Sequence, residues 1–296
     1  MVVPAGVRRK LTLTADSDRS GVTRVGIQGE LGSNSHVAAL GVMSDGYGAE
    51  VSIVPCALSA EVFEQLEAGA VDVAVLPIEN SLHGSVAEHY DLLLAHGVSI
   101  AGEWLLRVRH NVIAAPGARL EDLRQILSHP VALSQCRKWL RGHPEIATVP
   151  YYDTAGSVKH LMKTGARDVA GIAPELAARQ YGAEVLAAGI EDHPDNFTRF
   201  LVLKKTSGER VARANKLSVA FSLEHKPGTL LRSLEAFKAA GLNLTSIESR
   251  PVHGRPWEYV FFVDVRFDDA ERLDQALAGL RNCCQMVKEL GRYPAA

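Results

Sequence analysis

Short apolar runs alternate with amphipathic segments from about residue 23 to residue 205. The run TRVGIQG is followed by a polar loop and then by SHVAALGVM, which predicts a strand and a helix. VSIVP, SAEVFEQLEAG and VDVAVLPI continue the series as strand, helix and strand. This alternation is typical of an α/β fold with a mainly parallel sheet.

Part of this pattern occurs twice. The stretch that begins at Val54 resembles the stretch that begins at Val149. In each, a strand ending in Val-Pro leads into a helix, and a Gly-Ala pair, at Gly69 or Gly165, leads into the next strand. Such a duplication predicts two related lobes facing each other across a cleft, where α/β proteins bind small ligands. Chance similarity between two generic strand–helix–strand units is the alternative.

Small polar residues and glycines stand where the predicted strands end and helices begin. The segments are GELGSNS, PIENSLHGS, SHP, SQC and DTAG. Helix N-termini present free backbone N–H groups and the positive end of the helix dipole, so these loops together predict a site for a polar, anionic small molecule. Each loop alone is explained by ordinary helix capping. No GxGxxG opens a helix and no GxxxxGK[ST] occurs, which disfavours dinucleotides and nucleoside triphosphates.

Residues 216–293 follow a different plan. KLSVAFSLE, LNLTSIESR, WEYVFFVDVRF and CQMVKEL predict strands, and TLLRSLEAFKAAG and residues 270–281 predict helices. The order βαββαβ is that of a ferredoxin-like domain. The polar segment TSGERVARAN marks the linker before it. We therefore divide the chain into a flexible tail (1–22), a two-lobed domain (23–206), a linker (207–215) and a C-terminal domain (216–293).

Composition narrows the class of protein. The 296 residues are 47% hydrophobic and carry a net charge of −2, without a basic stripe for a phosphate backbone, so we expect no nucleic-acid partner. The four cysteines form no CxxC and the eleven histidines are scattered, which predicts no metal and no disulfide framework. We expect a cytoplasmic protein with reduced thiols and no membrane helix. A transit peptide is the minor alternative for the tail.

The run NFTRFLVL, which starts at residue 196, contains a lone arginine between two phenylalanines. Burying an unpaired guanidinium is costly, so this residue needs a partner. In a regular strand Thr198 and Phe200 point to one face, while Phe197 and Arg199 point to the other. We therefore place Thr198 in the cleft and expect Arg199 to brace the lobe from behind, unless the strand is irregular there.

Several of these segments together resemble the prephenate dehydratase family. They are VGIQGELGSNSHVAAL, LPIENSLHGSVAEHYDLL, ILSHPVALSQCRKWL, DTAGSV and NFTRFLVL. Asn34 stands where the family usually has an aromatic residue. The resemblance implies a two-lobed α/β domain like that of periplasmic binding proteins. It implies the conversion of prephenate to phenylpyruvate in phenylalanine biosynthesis, which aromatisation drives without a redox or metal cofactor.

The resemblance also implies roles for individual residues. Thr198 would donate a hydrogen bond to the leaving hydroxyl, although β-branching alone suits a strand. Arg199 would pair with a substrate carboxylate or with Glu79, or serve as a structural salt bridge. Glu79 would be a proton source or a brace for the loops. The predicted substrate-binding residues are Ser33, Ser35, Asn80, Ser81, Gly84, Ser134, Gln135, Asp153, Thr154, Phe197 and Phe200.

PGTLLRSL and IESRP resemble the paired signatures of the ACT domain found behind prephenate dehydratases. That resemblance implies allosteric inhibition by phenylalanine bound at a subunit interface, in a homodimer or homotetramer. The implied effector-binding residues are Thr229, Leu230, Leu231, Asn243, Leu244, Glu248, Ser249 and Arg250. Alternative functions are an arogenate dehydratase, which acts on the transaminated substrate, and a non-catalytic sensor of amino acids or aromatic acids. A transport-type binding protein is disfavoured because we find no export signal.

Overall fold

A computed structural model describes residues 21–46, 50–206, 211, 213–252, 254 and 257–296. Nearly all of the predicted tail and most of the predicted linker lie outside these ranges. The described residues form three sheets, of six, five and four strands. Within the same ranges, every helix is too short or too polar to cross a membrane.

The first eight elements build most of lobe 1. They are β1 (Val22–Gln28), α1 (Asn34–Gly46), β2 (Glu50–Cys56), α2 (Ser59–Ala68), β3 (Val73–Asn80), β4 (Gly84–Ser85), α3 (Ala87–Ala95) and β5 (Val98–Arg107). Helix α2 shows how the pattern acts locally, since it buries Val62, Phe63 and Leu66 on one face. Gly69 ends this helix in the left-handed conformation, with φ of 72°.

The next elements build lobe 2. They are β6 (Asn111–Ala114), a 3-10 turn (Leu120–Asp122), β7 (Gln125–Ser128), α4 (Pro130–Gln135), α5 (Arg137–Arg141), β8 (Ala147–Pro150), α6 (Thr154–Thr164), β9 (Val169–Ala173), α7 (Glu175–Tyr181) and β10 (Glu184–Ala188). The Asp153 carboxylate caps α6 by accepting from the Gly156 amide at 2.7 Å. Gly165 ends α6 with φ of 68°, as Gly69 ends α2.

The chain then returns to lobe 1 and continues into a separate sheet. The remaining elements are β11 (Phe197–Lys205), β12 (Lys216–Ser222), α8 (Thr229–Ala239), β13 (Asn243–Pro251), β14 (Tyr259–Arg266), α9 (Ala270–Cys283) and β15 (Met286–Tyr293). Strands β12 to β15 form a four-stranded antiparallel sheet in the order β13-β14-β12-β15. We call β12 to β15 with α8 and α9 the C-terminal module. Its βαββαβ order is that of a ferredoxin-like fold.

The two lobes share one topology. The order β2-β1-β3-β11-β5 in lobe 1 corresponds to β8-β7-β9-β6-β10 in lobe 2. In each lobe the first three strands pair in parallel and the last two pair antiparallel. The structure therefore contains the predicted duplication and the predicted two-lobed α/β fold. The chain crosses between the lobes twice, at residues 108–110 and 189–196.

Lobe 1 and the C-terminal module share one hydrophobic core. Ile78, Tyr90 and Leu201 of the lobe pack in the same cluster as Phe262 and Leu290 of the module. The rings of Tyr90 and Phe262 meet edge to face, with centroids 5.1 Å apart. The module is therefore packed directly against the sheet that contains β11.

Gly291 lies where β15 meets β5, and we predict that replacing it with alanine destabilises this interface. A Cβ at this position would clash with the carbonyl oxygen of Ile100, which is backbone and cannot move aside alone. We expect Gly291→Ala to lower the free energy of unfolding by about 2 kcal/mol and the melting midpoint by about 5 °C.

The matched control is Gly21→Ala, because none of the described residues lies within 4 Å of a Cβ at Gly21. This change should leave the melting midpoint within about 1 °C of the unmodified protein, as exposed substitutions usually do. Equal melting midpoints for the two variants in a calorimetric scan would contradict the close packing of β15 on β5.

Candidate active site

Thr198 and Asn80 lie opposite each other on the antiparallel strands β11 and β3. The Asn80 Nδ2 atom is 3.0 Å from the Thr198 Oγ1 atom. The backbone N–H groups of Leu82 and His83 donate to Asn80 Oδ1 at 3.0 and 3.1 Å. A backbone N–H can only donate, so these two bonds fix the orientation of the Asn80 amide. Asn80 therefore donates to Thr198.

The direction of that bond determines what the Thr198 hydroxyl can do. Thr198 is only 9% exposed. Its oxygen is occupied as an acceptor, and within the described residues the hydroxyl makes no second hydrogen bond. The hydroxyl hydrogen is therefore free to be donated to a molecule in the cleft.

The hydrogen-bond network continues from Asn80 into lobe 2 through Gln135. Gln135 Nε2 lies 3.4 Å from Asn80 Oδ1 and 3.2 Å from His83 Nδ1. Since Asn80 Oδ1 is an acceptor, the Gln135 amide nitrogen must be the donor. On its other side, Gln135 Oε1 accepts from Asn196 Nδ2 at 2.9 Å. Asn196 Oδ1 accepts from Asn80 Nδ2 at 2.8 Å, which closes a ring of three amides around Thr198.

His110 and Asn196 come from the two segments that cross between the lobes. These segments lie side by side, because Val108 donates to the Asn196 carbonyl at 2.8 Å and Ile190 donates to the His110 carbonyl at 3.0 Å. His110 Nε2 lies 2.8 Å from Gln135 Oε1. As that oxygen is an acceptor, His110 is protonated on Nε2. Burial lowers the pKa of His110, which favours the neutral ring that this arrangement needs.

His110 and Asn196 were not among the site residues predicted from the sequence. Asn196 belongs to the quoted NFTRF segment, so its position in the motif was a usable signal. His110 is a single histidine in RVRHN and carries no local signal. Its role depends on Gln135, which is 25 residues away in the chain.

A second group of contacts joins the lobes near the starts of α1 and α6. The Glu30 carboxylate accepts from the Tyr152 hydroxyl at 2.8 Å and from Lys159 at 2.7 Å. Burial would raise the pKa of Glu30, but these hydrogen bonds outweigh it and hold the pKa below its usual value. Burial raises the pKa of Asp153, which stands just before Thr154 at the start of α6.

The N-terminus of α1 forms the opposite wall of this region. Ser33 and Ser35 are buried there. A Cβ on Gly29 would lie 2.7 Å from a carboxylate oxygen of Asp153 and 3.7 Å from the Ser33 hydroxyl. The starts of α1 and α6 therefore face each other across the lobes, as the polar loops predicted.

Other predicted substrate-binding residues hold the loops in place. The Ser81 hydroxyl donates to the Asp195 carbonyl at 3.0 Å and accepts from the Phe197 amide at 3.0 Å, which anchors the start of β11. The Ser134 hydroxyl lies 2.9 Å from His83 Nε2, which is another contact between the lobes. Gly84 is exposed on β4 and has φ of 76°.

The structure requires a correction for Arg199, Glu79 and Phe200. Arg199 is 7% exposed and lies on the strand face opposite Thr198. Its guanidinium is occupied by three carboxylates, and Glu79 is one of them at 2.8 Å. The expected pairing with Glu79 is present, whereas the expected contacts of either residue with the substrate do not fit this placement. Phe200 is 1% exposed in the core with Val25, so it does not line the cleft.

Two of the predicted effector residues contact lobe 1 in this structure. Glu248 accepts from the Ser85 hydroxyl at 2.8 Å. Arg250 forms a two-pronged pair with Asp91 at 3.1 and 2.7 Å. The ESRP segment of the C-terminal module therefore touches β4 and α3, which follow Asn80.

The other predicted effector residues stay within the module. Leu230 and Leu244 pack against its core, whereas Leu231 is 62% exposed. The Thr229 hydroxyl donates to the carbonyl of Lys226, in the turn before α8. Asn243 and Ser249 are exposed on β13.

Within the described ranges, no group of three or more His, Cys, Asp or Glu side chains is arranged to hold a metal ion. The site brings together hydrogen-bonding groups from both lobes. It can donate hydrogen bonds at Thr198 and bind anionic groups at the helix N-termini.

Comparisons with known proteins find similar sequences and similar structures. The family model described as prephenate dehydratase matches residues 25–208. A relative from Arabidopsis thaliana, "Arogenate dehydratase/prephenate dehydratase 2, chloroplastic", is 39% identical over 293 residues, which cover 95% of this chain and 75% of the relative.

Two solved structures are similar over nearly the whole chain. A prephenate dehydratase from Arthrobacter aurescens in complex with L-Phe has a TM-score of 0.82 and 33% identity, over 92% of this chain and 89% of that chain. GqqA, described as a novel type of quorum quenching acylase, has a TM-score of 0.84 and 30% identity, over 92% of this chain and 98% of that chain.

Proposed function

Since the chain belongs to the prephenate dehydratase family, we propose that it converts prephenate to phenylpyruvate, with phenylalanine as an allosteric inhibitor. The observation that carries the catalytic part is the bond from Asn80 to Thr198, which leaves the Thr198 hydroxyl hydrogen free to be donated. No cofactor takes part in the proposed reaction, because every electron pair that moves belongs to the substrate.

The proposed reaction breaks two bonds of the substrate ring. The ring carboxylate leaves as CO₂, and the electron pair of that C–C bond enters the ring. The ring expels its hydroxyl group, which takes up a proton and leaves as water, and an aromatic ring remains. Thr198 donates a hydrogen bond to the departing oxygen and stabilises the negative charge that develops on it.

The rest of the site orients the substrate. Prephenate carries two carboxylates, and the facing N-termini of α1 and α6 supply backbone N–H groups and positive helix ends. Ser33, Ser35 and Thr154 stand at these ends. The ring of amides at Asn80, Gln135 and Asn196 joins the lobes, so the two carboxylate-binding ends stay in a fixed relation to Thr198.

Hydrolysis of an acyl compound, which the description of GqqA raises, fits this site less well. A threonine nucleophile needs a neighbouring base that takes its proton. In the part of the chain that the structure describes, Thr198 Oγ1 meets the amide nitrogen of Asn80, which donates a hydrogen and cannot accept one. The site therefore favours a hydrogen-bond donor at Thr198 over a nucleophile.

Regulation by phenylalanine is supported by the fold of the C-terminal module and by the complex of the Arthrobacter relative with L-Phe. Glu248 and Arg250, which the sequence assigns to the effector site, contact Ser85 and Asp91 of lobe 1. A ligand that engages these side chains would therefore act directly on elements next to Asn80. A homodimer or homotetramer and a cytoplasmic location complete the proposal.

The test is to incubate the purified protein with prephenate and to follow the absorbance of phenylpyruvate, with and without phenylalanine. We expect turnover without added metal or nucleotide, and inhibition when phenylalanine is added. Arogenate in a parallel reaction, with phenylalanine as the measured product, tests the alternative that the name of the Arabidopsis relative raises. Turnover of arogenate but not of prephenate would identify the protein as an arogenate dehydratase. Binding of either compound without turnover would identify a sensor.

A further inference from the structure

A cluster of five charged side chains lies between lobe 1 and the C-terminal module. Arg199 Nη1 is 2.7 Å from Asp264 and 3.2 Å from Glu103, and Arg199 Nε is 2.8 Å from Glu79. Lys216 Nζ is 2.8 Å from Glu103 and 3.4 Å from Asp264. Arg199, Glu79 and Glu103 belong to lobe 1, while Asp264 and Lys216 belong to the module.

The cluster is electrically balanced in its buried part. The side chains of Arg199, Lys216, Glu103 and Asp264 are 4–10% exposed, and they comprise two cations and two anions. Burial alone would lower the pKa of Arg199, but the charges of Asp264 and Glu79 outweigh it and raise the pKa above its ordinary value. Arg199 is therefore a permanent cation whose position is set by its partners.

Asp264 and Glu103 differ in what they attach Arg199 to. Glu103 pairs with Leu201 across the β5–β11 ladder, so it belongs to the same sheet as Arg199. Asp264 lies on β14, where its carboxylate also accepts from the Ser218 hydroxyl of β12 at 2.5 Å. The Arg199–Asp264 pair, at 2.7 Å, is thus an ionic contact that ties β11 to the other sheet.

Thr198 and Arg199 are consecutive residues, so the position of one guanidinium constrains the hydroxyl beside it. The ladder between β11 and β3 is irregular between Arg199 and Phe200. An irregularity at this point weakens the backbone restraint on the strand directly after Arg199. The ladder to β5 on the other edge is regular from Phe197 to Val202. Side-chain contacts therefore add to the restraint that β5 places on Thr198.

We propose that Asp264 is a positioning residue for the dehydratase reaction, and that it holds the Thr198 hydroxyl in place by fixing Arg199 from the C-terminal module. The inference rests on the proposed dehydratase activity of Thr198. The Arg199–Asp264 pair would connect the module directly to the active site, because a movement of β14 would reach Thr198 through this ion pair and one peptide bond.

The test compares two double variants that remove the same charges. Asp264→Leu with Lys216→Met removes the ion pair between Arg199 and the module. Glu103→Met with Lys216→Met removes an ion pair of Arg199 inside lobe 1. Each deletes one anion and one cation and leaves Arg199 with two carboxylates. We expect the first to lower kcat for prephenate by about 10- to 100-fold, as small misplacements of catalytic groups do. The second should change kcat less than about 3-fold, and neither should change KM by more than that.

A double-mutant cycle distinguishes positioning of Thr198 from general damage. When Thr198→Val is added to each double variant, the effect of Asp264→Leu/Lys216→Met on kcat should disappear, because no hydroxyl remains to be positioned. Effects that multiply independently in the combined variant would overturn the proposal. So would equal kcat values for the two double variants.

Two further measurements keep the test conclusive. The variant Asp264→Asn keeps the shape of the side chain and its contact with Ser218, so it serves if Asp264→Leu/Lys216→Met does not fold. A loss of kcat of about 3-fold or more in Asp264→Asn supports the proposal. An unchanged kcat in this variant overturns it. Amide hydrogen exchange of residues 196–200 requires no activity. It should be faster in Asp264→Leu/Lys216→Met than in the Glu103 control, and equal exchange would overturn the proposal even if the unmodified protein fails to turn over prephenate.

Discussion

Replacing Thr198 with valine should lower kcat for prephenate by about 1000-fold, the size of effect that a single acid or hydrogen-bond donor contributes. Valine has the shape of threonine and the same preference for a strand, so the backbone of β11 should not change. The variant loses the hydrogen that we assign to the leaving hydroxyl, and KM should stay within a few-fold. The loss of the bond from Asn80 should cost about 1 kcal/mol of stability.

Thr198→Ser is the matched control for this prediction. It keeps the hydroxyl group and its bond from Asn80, so kcat should stay within about 10-fold of the unmodified protein. A steady-state assay with phenylpyruvate absorbance measures both variants. If Thr198→Val turned over prephenate at nearly the normal rate, Thr198 would have no part in the chemistry.

The change Asn80→Asp tests the direction of the hydrogen bond rather than its presence. The side chain keeps its shape, and one carboxylate oxygen can still accept from the backbone of Leu82 and His83. The second oxygen can only accept, so it takes the Thr198 hydrogen that would otherwise reach the substrate. We expect kcat to fall about 100-fold or more, with a smaller change in KM.

Asn111→Asp is the control for the chemical change itself. Asn111 is also buried, and its amide donates to the Ala173 carbonyl at 3.2 Å and accepts from the Gly189 amide at 3.3 Å, away from Thr198. It should lose comparable stability in a thermal melt while kcat stays near normal. An Asn80→Asp variant that is as active as the Asn111→Asp variant would refute the assigned polarity of the network.

Local sequence patterns were sufficient for the elements of the fold. The alternation around TRVGIQG and SAEVFEQLEAG predicted β1, α2 and their neighbours, because buried faces of strands and helices have different periods. The Gly-Ala pairs at Gly69 and Gly165 both end helices in the left-handed conformation, and this is why the duplication was visible. The NFTRF segment predicted the start of a strand, whereas PIENS was predicted as a loop before a helix. Residues 77–80 instead continue β3 and pair with β11.

Sequence patterns were less informative about which buried side chains pair with each other. The Arg199 guanidinium required an anion, and Glu79 was a correct choice, but Asp264 was not considered. A signal existed, because Asp264 is the single acidic residue within the apolar run YVFFVDVRF. The pairing depends on how the module packs on lobe 1, and no periodicity of a single segment encodes that contact.

The sequence by itself determined the α/β lobes and the ferredoxin-like module, and it predicted Thr198 as the residue that faces the cleft. Hydrophobic periodicity, turn residues and motifs are properties of short segments, so they can be read from the sequence alone. Only the tertiary structure decided that Arg199 turns to the module, that Phe200 enters the core and that His110, Gln135 and Asn196 hold the lobes together around Asn80. Those outcomes depend on which groups meet after the chain has crossed twice between its lobes, because a buried charge or amide is stable only where a distant partner satisfies it.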